Sequence, residues 1–316
     1  MTPAPESFRK HPLHDADRHW PETNCYTDLW IEILASRGHV PEAMLAFTVR
    51  QDFEGDQFTF FKPPLEDLET LYGIGVQELA VFDTLERHAQ AQIARGRMPL
   101  VEVDGFFLPD TDGVSYRLQH TKTTIGIARM DAGARRIDYF HNSGLYRLEG
   151  DDYAGIFGPP AHPAVLFPYT EFVKFNAGPP AADLAAASAA LLQKHLRFRP
   201  DGNPIADYAR AFPTHAADLA ARPAEYFHAY AFNTLRQLGA NFELLGSYLA
   251  WLGSARLVDL TEESTAAMTI AGGAKSAQFM LARAMARGRL AAYAPDLDPM
   301  IEAYETVFAT LSDKIG

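Results

Sequence analysis

The chain has 316 residues, 28 Lys and Arg against 40 Asp and Glu, a formal net charge of −12, and one cysteine. A single cysteine excludes an internal disulfide framework and a cysteine-rich zinc site. The acidic balance disfavours non-specific nucleic-acid binding, which needs a basic surface to release counterions. The N-terminal segment carries no apolar signal-like run, and no stretch approaches the roughly 18 apolar residues that span a bilayer. We therefore expect a globular cytoplasmic protein that binds neither membrane nor nucleic acid.

The first half of the chain mixes helical and strand-like patterns. The periodicity predicts a helix over Cys25–Ser36, which the glycine at position 38 ends. An aromatic-rich strand region is predicted over 47–61, and residues 65–95 are predicted to be helical in pieces. Three strands are predicted further on, over 100–103, 123–129 and 136–140, with a hairpin turn at 131–133 between the last two. This half has the pattern of an α+β domain.

The second half has a helical composition. Residues 158–168 contain four prolines and are the best candidate for a linker. Helices are predicted from the alanine-rich run at 181–192, from a leucine-rich face between Leu235 and Leu252, and at 265–289 and 299–311. We therefore expect two domains, an α+β domain over 1–165 and an all-α domain over 166–316.

Two other patterns could carry chemistry, but each has a simpler interpretation. The polar cluster of His11, His14, Asp15, Asp17 and His19 contains metal-ligand types, although such a cluster is typical of a solvated segment. The glycine-rich run at 272–276 resembles a phosphate loop, yet it lies inside a helical pattern with the wrong spacing. We expect no metal and no tightly bound cofactor.

Cys25 occupies the first turn of a predicted helix, directly after Thr23 and Asn24, which are both good capping residues. A helix N-terminus carries a partial positive charge and unpaired N–H groups that stabilise a thiolate. The same groups can bind the oxyanion formed when a thiolate attacks a carbonyl. The alternative is a core cysteine that packs beside Tyr26 and Leu29.

A histidine and an amide are predicted to face each other further along the chain. His120 opens the strand that leads to Arg129. If the hairpin turn is centred on Asp131, His120 lies opposite Asn142, and cross-strand partners share a face about 5 Å apart. An asparagine oxygen at that position can fix the tautomer of a catalytic histidine. His141 points to the opposite face. The alternative for His120 is a histidine that only forms a hydrogen bond at a strand start.

Particular segments of the chain resemble a known group of thiol enzymes. The Asn24-Cys25 helix start, the segment 38–44, the Phe-rich region and Leu108-Pro109 ahead of His120 resemble the butirosin biosynthesis protein H acyltransferase family. That family belongs to the papain-like cysteine peptidase superfamily, which includes the double-glycine leader peptidases. The whole chain, with DFEGDQFTFFKPP at 52–64 and YFHNSGLY at 139–146, resembles the bacterial family called domain of unknown function 1839.

The resemblance implies a papain-like N-terminal domain with a small antiparallel sheet, in which Cys25 is the nucleophile, His120 the base and Asn142 the orienting group. Papain-like enzymes often place a glutamine ahead of the cysteine to bind the oxyanion. No glutamine precedes Cys25 here, so Asn24 is only a weak substitute for that donor.

The activity expected from this resemblance is a cysteine-dependent acyl transfer. The acyl or aminoacyl group would move from the phosphopantetheine thioester of an acyl carrier protein, through a Cys25 thioester, to an amine acceptor on a small molecule or peptide. Two alternatives remain: a cysteine peptidase or amidase with the same triad, and an inactive papain-like domain whose helical half binds a partner.

Two groups of polar residues are candidate contacts for such a partner or substrate. Carrier proteins are usually acidic, so docking onto this acidic chain needs a local basic patch, for which Arg117 and Lys122, with Arg135 and Arg136, are candidates. In the helical half, Arg236, Asn241, Lys275 and Arg283 interrupt apolar helices. They either line a substrate channel or form the solvated face of amphipathic helices.

Overall fold

The structure is a computed structural model that describes residues 5–158, 167–256 and 258–315. The first part of the chain contains helices and strands in alternation: α1 (Cys25–Ser36), α2 (Leu65–Tyr72), β1 (Gly75–Glu78), α3 (Leu85–Ala94), β2 (Met98–Asp104), β3 (Lys122–Asp131), β4 (Arg136–His141), β5 (Gly144–Glu149), α4 (Gly150–Phe157) and β6 (Thr170–Lys174). The remainder is helical: α5 (Leu184–Leu196), α6 (Pro204–Ala220), α7 (Tyr226–Ala231), α8 (Gln237–Arg256), α9 (Thr261–Ala286), α10 (Asp298–Ala309) and α11 (Leu311–Ile315).

The described strands form one antiparallel sheet in the order β1-β6-β2-β3-β4-β5. One face of the sheet packs against α3 and α4 through a core that includes Val101, Ile125 and Tyr139. The opposite face packs against α1, where a Cβ at Gly126 would lie 3.3 Å from Cδ1 of Ile33. The expected α+β class is therefore correct for this part of the chain.

Helix α1 forms where the sequence predicts it. Asn24 caps the helix, because its side-chain oxygen accepts a hydrogen bond from the Thr27 N–H at 3.0 Å. Every residue over 26–34 is buried, so this is a central helix with no solvated face. Gly38 ends it with a φ of 79°, a conformation that costs little only for a residue without a Cβ.

The helical part is built around α8 and α9. The predicted apolar face between Leu235 and Leu252 is buried, and α8 continues without a break from α7 through a π-helical turn over Phe232–Arg236. Gly272 and Gly273 lie inside α9, where added Cβ atoms would contact His19 and Met300. The glycine-rich run is thus a close-packing feature of a helix, as expected.

A membrane-spanning helix needs a long apolar run, and none of the helices in the described residues has one.

The strand region predicted over 47–61 is wrong. Residues Pro41–Arg50 form a 3-10 helix, and the following segment contributes only an isolated bridge between Phe53 and Phe58. The aromatic residues of this segment pack on helical partners instead, since the Phe58 ring lies 5.5 Å from the Tyr208 ring of α6. The sequence analysis does not predict several elements, namely strands β1, β5 and β6 and helices α4, α6 and α7. Residues 159–166 of the predicted linker lie outside the described residues.

The chain divides into two compact units that each combine three segments. The first unit contains Met1–Pro12, Asn24–Pro41 and Leu65–Ala181, and the second contains Leu13–Thr23, Glu42–Pro64 and Ala182–Gly316. The predicted boundary between residues 165 and 166 differs from this division for two physical reasons. Strand β6 completes the sheet between β1 and β2, and two early segments pack with the helices.

Candidate functional site

Cys25 is the first residue of α1, and its thiol is free and half-buried. The preceding Asn24 has an extended backbone and is itself buried, so the chain enters the helix in a fixed geometry. The Asn24 side-chain oxygen accepts the capping hydrogen bond from the Thr27 N–H. A cysteine at this position faces the positive end of the helix dipole.

His120 pairs with a carboxylate that the sequence prediction missed. Its Nδ1 lies 2.5 Å from Oδ2 of Asp104, the last residue of β2. The Asp104 Oδ1 accepts hydrogen bonds from the Phe106 and Thr121 N–H groups. The imidazole stacks on the Phe106 ring at 4.6 Å between centroids, with an angle of 17° between the planes. These contacts orient the ring and leave Nε2 without a hydrogen-bond partner among the described residues.

The same contacts decide the charge of Asp104. Partial burial by itself would raise the pKa of this carboxyl, but hydrogen bonds from His120, Phe106 and Thr121 outweigh burial and lower the pKa. Asp104 is therefore a carboxylate at neutral pH. A carboxylate on Nδ1 holds the proton there and presents Nε2 as the basic nitrogen, which is the arrangement used by nucleophilic triads.

The predicted pairing of His120 with Asn142 is wrong. The hairpin turn occupies residues 132–135 instead of centring on Asp131, and the register pairs Gly126 with Phe140 and Ile127 with Tyr139. Strand β4 ends at His141, and Asn142 lies in the tight turn before β5 with a φ of 45°. Asn142 is therefore a turn residue, and Asp104 takes the place beside the His120 ring.

Helix α1 lies on one face of the sheet together with Asp104. Leu100 of β2 pairs with Gly126 of β3 and with Glu171 of β6, so the three positions share a face. This is the face of α1, because Ile33 approaches Gly126 and the Tyr26 hydroxyl donates a hydrogen bond to Glu171 at 2.8 Å.

Asp104 lies four residues beyond Leu100 along β2, so strand alternation places its side chain on the same face. Around the His120–Asp104 pair is an open depression of about 400 Å³. Its lining comprises Glu102, Val103, Asp104, His120, Thr121, Lys122 and Pro168. The depression offers surface access to the exposed imidazole, whose side chain is 73% accessible.

A second histidine–carboxylate pair lies on the other face of the sheet. His141 binds Asp110 through Nδ1 at 2.5 Å and Thr123 through Nε2 at 2.7 Å, and Asp110 also accepts from the Tyr139 hydroxyl. Burial and the neighbouring Asp110 raise the pKa of Tyr139 well above its usual range. Because both imidazole nitrogens are engaged and the side chains are closed to solvent, this network is structural and ties residues 105–121 to the sheet.

The cations predicted beside the site are already paired with carboxylates. Lys122 Nζ lies 2.6 Å from Glu102, and Arg117, which has a φ of 55°, pairs with Asp152. Arg135 and Arg136 lie at the far end of β3, about 30 Å from its first residue at the rise of a strand. They therefore cannot contribute to a basic patch around His120.

Arg236 and Lys275 belong to the helical unit, where they hold its N-terminal segment. Arg236 donates to the carbonyl oxygens of Glu22 and Thr23 at 2.9 and 3.1 Å, and the Lys275 ammonium lies 4.3 Å from the centroid of the Trp20 ring. Burial, followed by the nearby Arg236 charge, lowers the pKa of Lys275. These contacts account for both residues as packing elements of the unit. Within the described residues, no group of three or more metal-ligating side chains is assembled.

Comparison with known proteins identifies two domains. The model of the DUF1839 N-terminal domain matches residues 9–175, and that of the DUF1839 C-terminal domain matches residues 181–313. No curated protein matches the chain at a significant level.

Proposed function

The chain belongs to the DUF1839 family, and we propose that it is a cysteine-dependent acyltransferase with Cys25 as nucleophile, His120 as base and Asp104 as the orienting carboxylate. Two observations support the proposal: Cys25 begins a capped helix on the face of the sheet where the Asp104 side chain lies, and Asp104 binds His120. A papain-like arrangement of the first unit is part of this proposal. It is supported by the sequence resemblance and by the central helix lying against an antiparallel sheet.

The proposed first step forms an acyl-enzyme. His120 takes the proton of the Cys25 thiol, and the resulting thiolate attacks the carbonyl carbon of a thioester. A new C–S bond forms, and the carbonyl oxygen takes the negative charge. N–H groups at the start of α1 stabilise that oxyanion. When the intermediate collapses, the bond to the donor sulfur breaks, and His120 supplies its proton to the departing thiolate.

The second step transfers the acyl group to nitrogen. An amine attacks the Cys25 thioester, His120 accepts a proton from the attacking nitrogen, and the Cys25 thiolate leaves. Asp104 balances the imidazolium that forms transiently in each step, because it stays ionised beside Nδ1. Neither step requires a metal or a redox partner.

An acyl carrier protein is the proposed donor. Its thioester is borne on a flexible phosphopantetheine arm, and the depression around His120 is open enough to admit such an arm. Because Lys122 and Arg117 are paired with Glu102 and Asp152, we propose that the arm and its thioester dominate recognition over a basic patch.

The experiment is intact-mass analysis of the full chain after incubation with acyl-loaded carrier protein and with acyl-pantetheine. We expect an added mass equal to the acyl group, its transfer to an added amine, and its absence in Cys25→Ala. Release of free acid at the same rate without an amine would make the enzyme a hydrolase. If no Cys25-dependent adduct forms with any thioester, the acyltransferase proposal fails and a binding module remains.

A further inference from the structure

The helical unit contains a cavity of about 400 Å³ that is separate from the Cys25 and His120 proposal. Most of its wall comes from the segment that interrupts the first unit at residues 42–64. The lining comprises Phe47, Arg50, Gln51, Asp52, Glu54, Thr59, Phe60, Phe61, Lys62, Pro64, Phe198 and Asn241. Its volume is in the range of small-molecule sites.

Two buried amides in this wall have their orientation fixed by the backbone. Asn241 Nδ2 donates to the Thr48 carbonyl oxygen at 2.8 Å, and Gln51 Nε2 donates to the Thr59 carbonyl oxygen at 3.1 Å. The side-chain oxygens of Gln51 and Asn241 are buried acceptors, and neither has a hydrogen-bond partner in the part of the chain that the structure describes. A buried acceptor without a partner is costly, so the site lacks a hydrogen-bond donor.

Charges of both signs surround the same cavity. Asp52 and Glu54 supply carboxylates, while Arg50 supplies a guanidinium and Lys62 an ammonium group. The Asp52 side chain accepts a hydrogen bond from the neighbouring Phe53 N–H at 2.7 Å. The guanidinium is placed over the Phe198 ring, 5.3 Å from its centroid.

Aromatic surface is exposed beside these charges. Phe198 is 60% accessible and Phe60 is 37% accessible, although large apolar side chains are normally covered. A ligand for this cavity therefore combines a hydrogen-bond donor of positive charge, a negative group and an apolar portion.

We propose that the cavity binds a free α-amino acid as its zwitterion. The ammonium group bonds Asp52 and the acceptor oxygens of Gln51 and Asn241, the carboxylate pairs with Arg50, and an apolar side chain lies against the exposed rings. Arg–carboxylate pairing of this kind is directional and strong. The site requires no covalent step, and it does not depend on whether Cys25 is catalytic.

The test is a thermal-unfolding and calorimetric titration of the full chain with a panel of the common α-amino acids. At least one apolar amino acid should raise Tm in a concentration-dependent way, because a ligand that binds only the folded state stabilises it. The N-acetylated derivative, which lacks the ammonium, and the amide derivative, which lacks the carboxylate, should each bind about tenfold or more weakly, the loss expected for one charge-assisted hydrogen bond.

Variants provide the protein-side control. Arg50→Gln and Asp52→Asn should each weaken binding by a similar factor, whereas Asp56→Asn should leave it unchanged, because Asp56 is an exposed carboxylate of the same segment that does not line the cavity. The comparison of blocked and free amino acids uses the unaltered chain, so it holds even if a variant folds poorly. Binding that survives N-acetylation or amidation, or no binding across the panel, overturns the proposal.

Discussion

The Asp104 carboxylate binds Nδ1 of His120 across 2.5 Å, although the two residues lie 16 positions apart in the sequence. The contact joins the last residue of β2 to a residue two positions before β3, and two backbone N–H groups donate to the second carboxylate oxygen. A side chain fixed in this way can set both the tautomer and the direction of the imidazole.

Asp104→Asn should lower the rate of acyl-enzyme formation by about 10²–10⁴-fold, the range expected when proton transfer by a positioned base is lost. The amide cannot balance an imidazolium, and it favours the wrong tautomer. The rate is measured as the appearance of the Cys25 adduct in quenched mass spectra. Substrate affinity should change little, so the loss should fall on kcat.

Asn142→Gly is the matched control for that variant. Its backbone already has a φ of 45°, which glycine adopts readily, so folding should be preserved. If Asn142 only forms the turn before β5, the variant should keep its acylation rate within about twofold. A loss comparable with that of Asp104→Asn would return the orienting role to Asn142.

Cys25 should react with iodoacetamide faster than free glutathione at neutral pH. In the proposed mechanism, the N–H groups at the start of α1 and the His120 imidazole both assist the thiol when it reacts as a nucleophile. His120→Ala should reduce the labelling rate, and Asp104→Asn should reduce it less. The measurement is the pseudo-first-order alkylation rate; equal rates in the three proteins would show that His120 does not act on the thiol.

Asp138 should contribute to stability in a pH-dependent manner. Burial alone would raise the pKa of this carboxyl, but hydrogen bonds from Arg147 and Arg129 outweigh it and lower the pKa below the ordinary value of 3.8. A lowered carboxyl pKa gives stability that is present above the unfolded pKa and is lost as the pH falls through the folded pKa.

Asp138→Asn should therefore reduce the free energy of unfolding by about 1–3 kcal/mol at pH 7, the range for hydrogen bonds to charged groups. The difference in free energy of unfolding between the unaltered protein and Asp138→Asn should decrease as the pH falls below 3.8. Urea unfolding at a series of pH values measures it. A gap that is independent of pH would mean that packing, and not the ionised carboxylate, is lost.

Arg236→Met should loosen the segment that precedes Cys25 in the sequence. It removes two donors to the carbonyl oxygens of Glu22 and Thr23, at a cost of about 1–3 kcal/mol locally. Hydrogen exchange should become faster at residues 19–24. Arg283→Met is the control, because Arg283 is an exposed residue of α9, and it should leave exchange in this segment unchanged.

The sequence predicts the elements whose periodicity is strong, such as α1, β2, β3, β4 and α8, but not the register between β3 and β4. The real turn occupies residues 132–135, and a bulge follows at Ile127 and Arg129. Beyond this bulge Gly126 pairs with Phe140, whereas a turn centred on Asp131 would pair it with Arg136, four residues away. A shift by an even number keeps each side chain on its expected face but gives it a different partner, and the predicted pairing of His120 with Asn142 is therefore wrong.

The face on which the Asp104 side chain lies can be predicted from the sequence, because strand alternation places Leu100, Glu102 and Asp104 on the same face. What the sequence could not provide is the contact across the 16 intervening residues. Composition predicts strands for the aromatic segment after Arg50. That prediction is wrong because the segment packs on α6, and such tertiary contacts override local preference.

The interleaved course of the chain constrains how the protein can be made. Residues 13–23 and 42–64 leave the ribosome well before the helices on which they pack, including α9, whose Ala271 carbonyl oxygen accepts a hydrogen bond from the Trp20 indole. Domains generally fold as units during synthesis, from the N-terminus onward. Here the two early segments cannot complete their packing, and Trp20 and the phenylalanines of the 42–64 segment stay exposed to solvent, until nearly the whole chain has left the ribosome. Truncation at a single point cannot yield either unit intact.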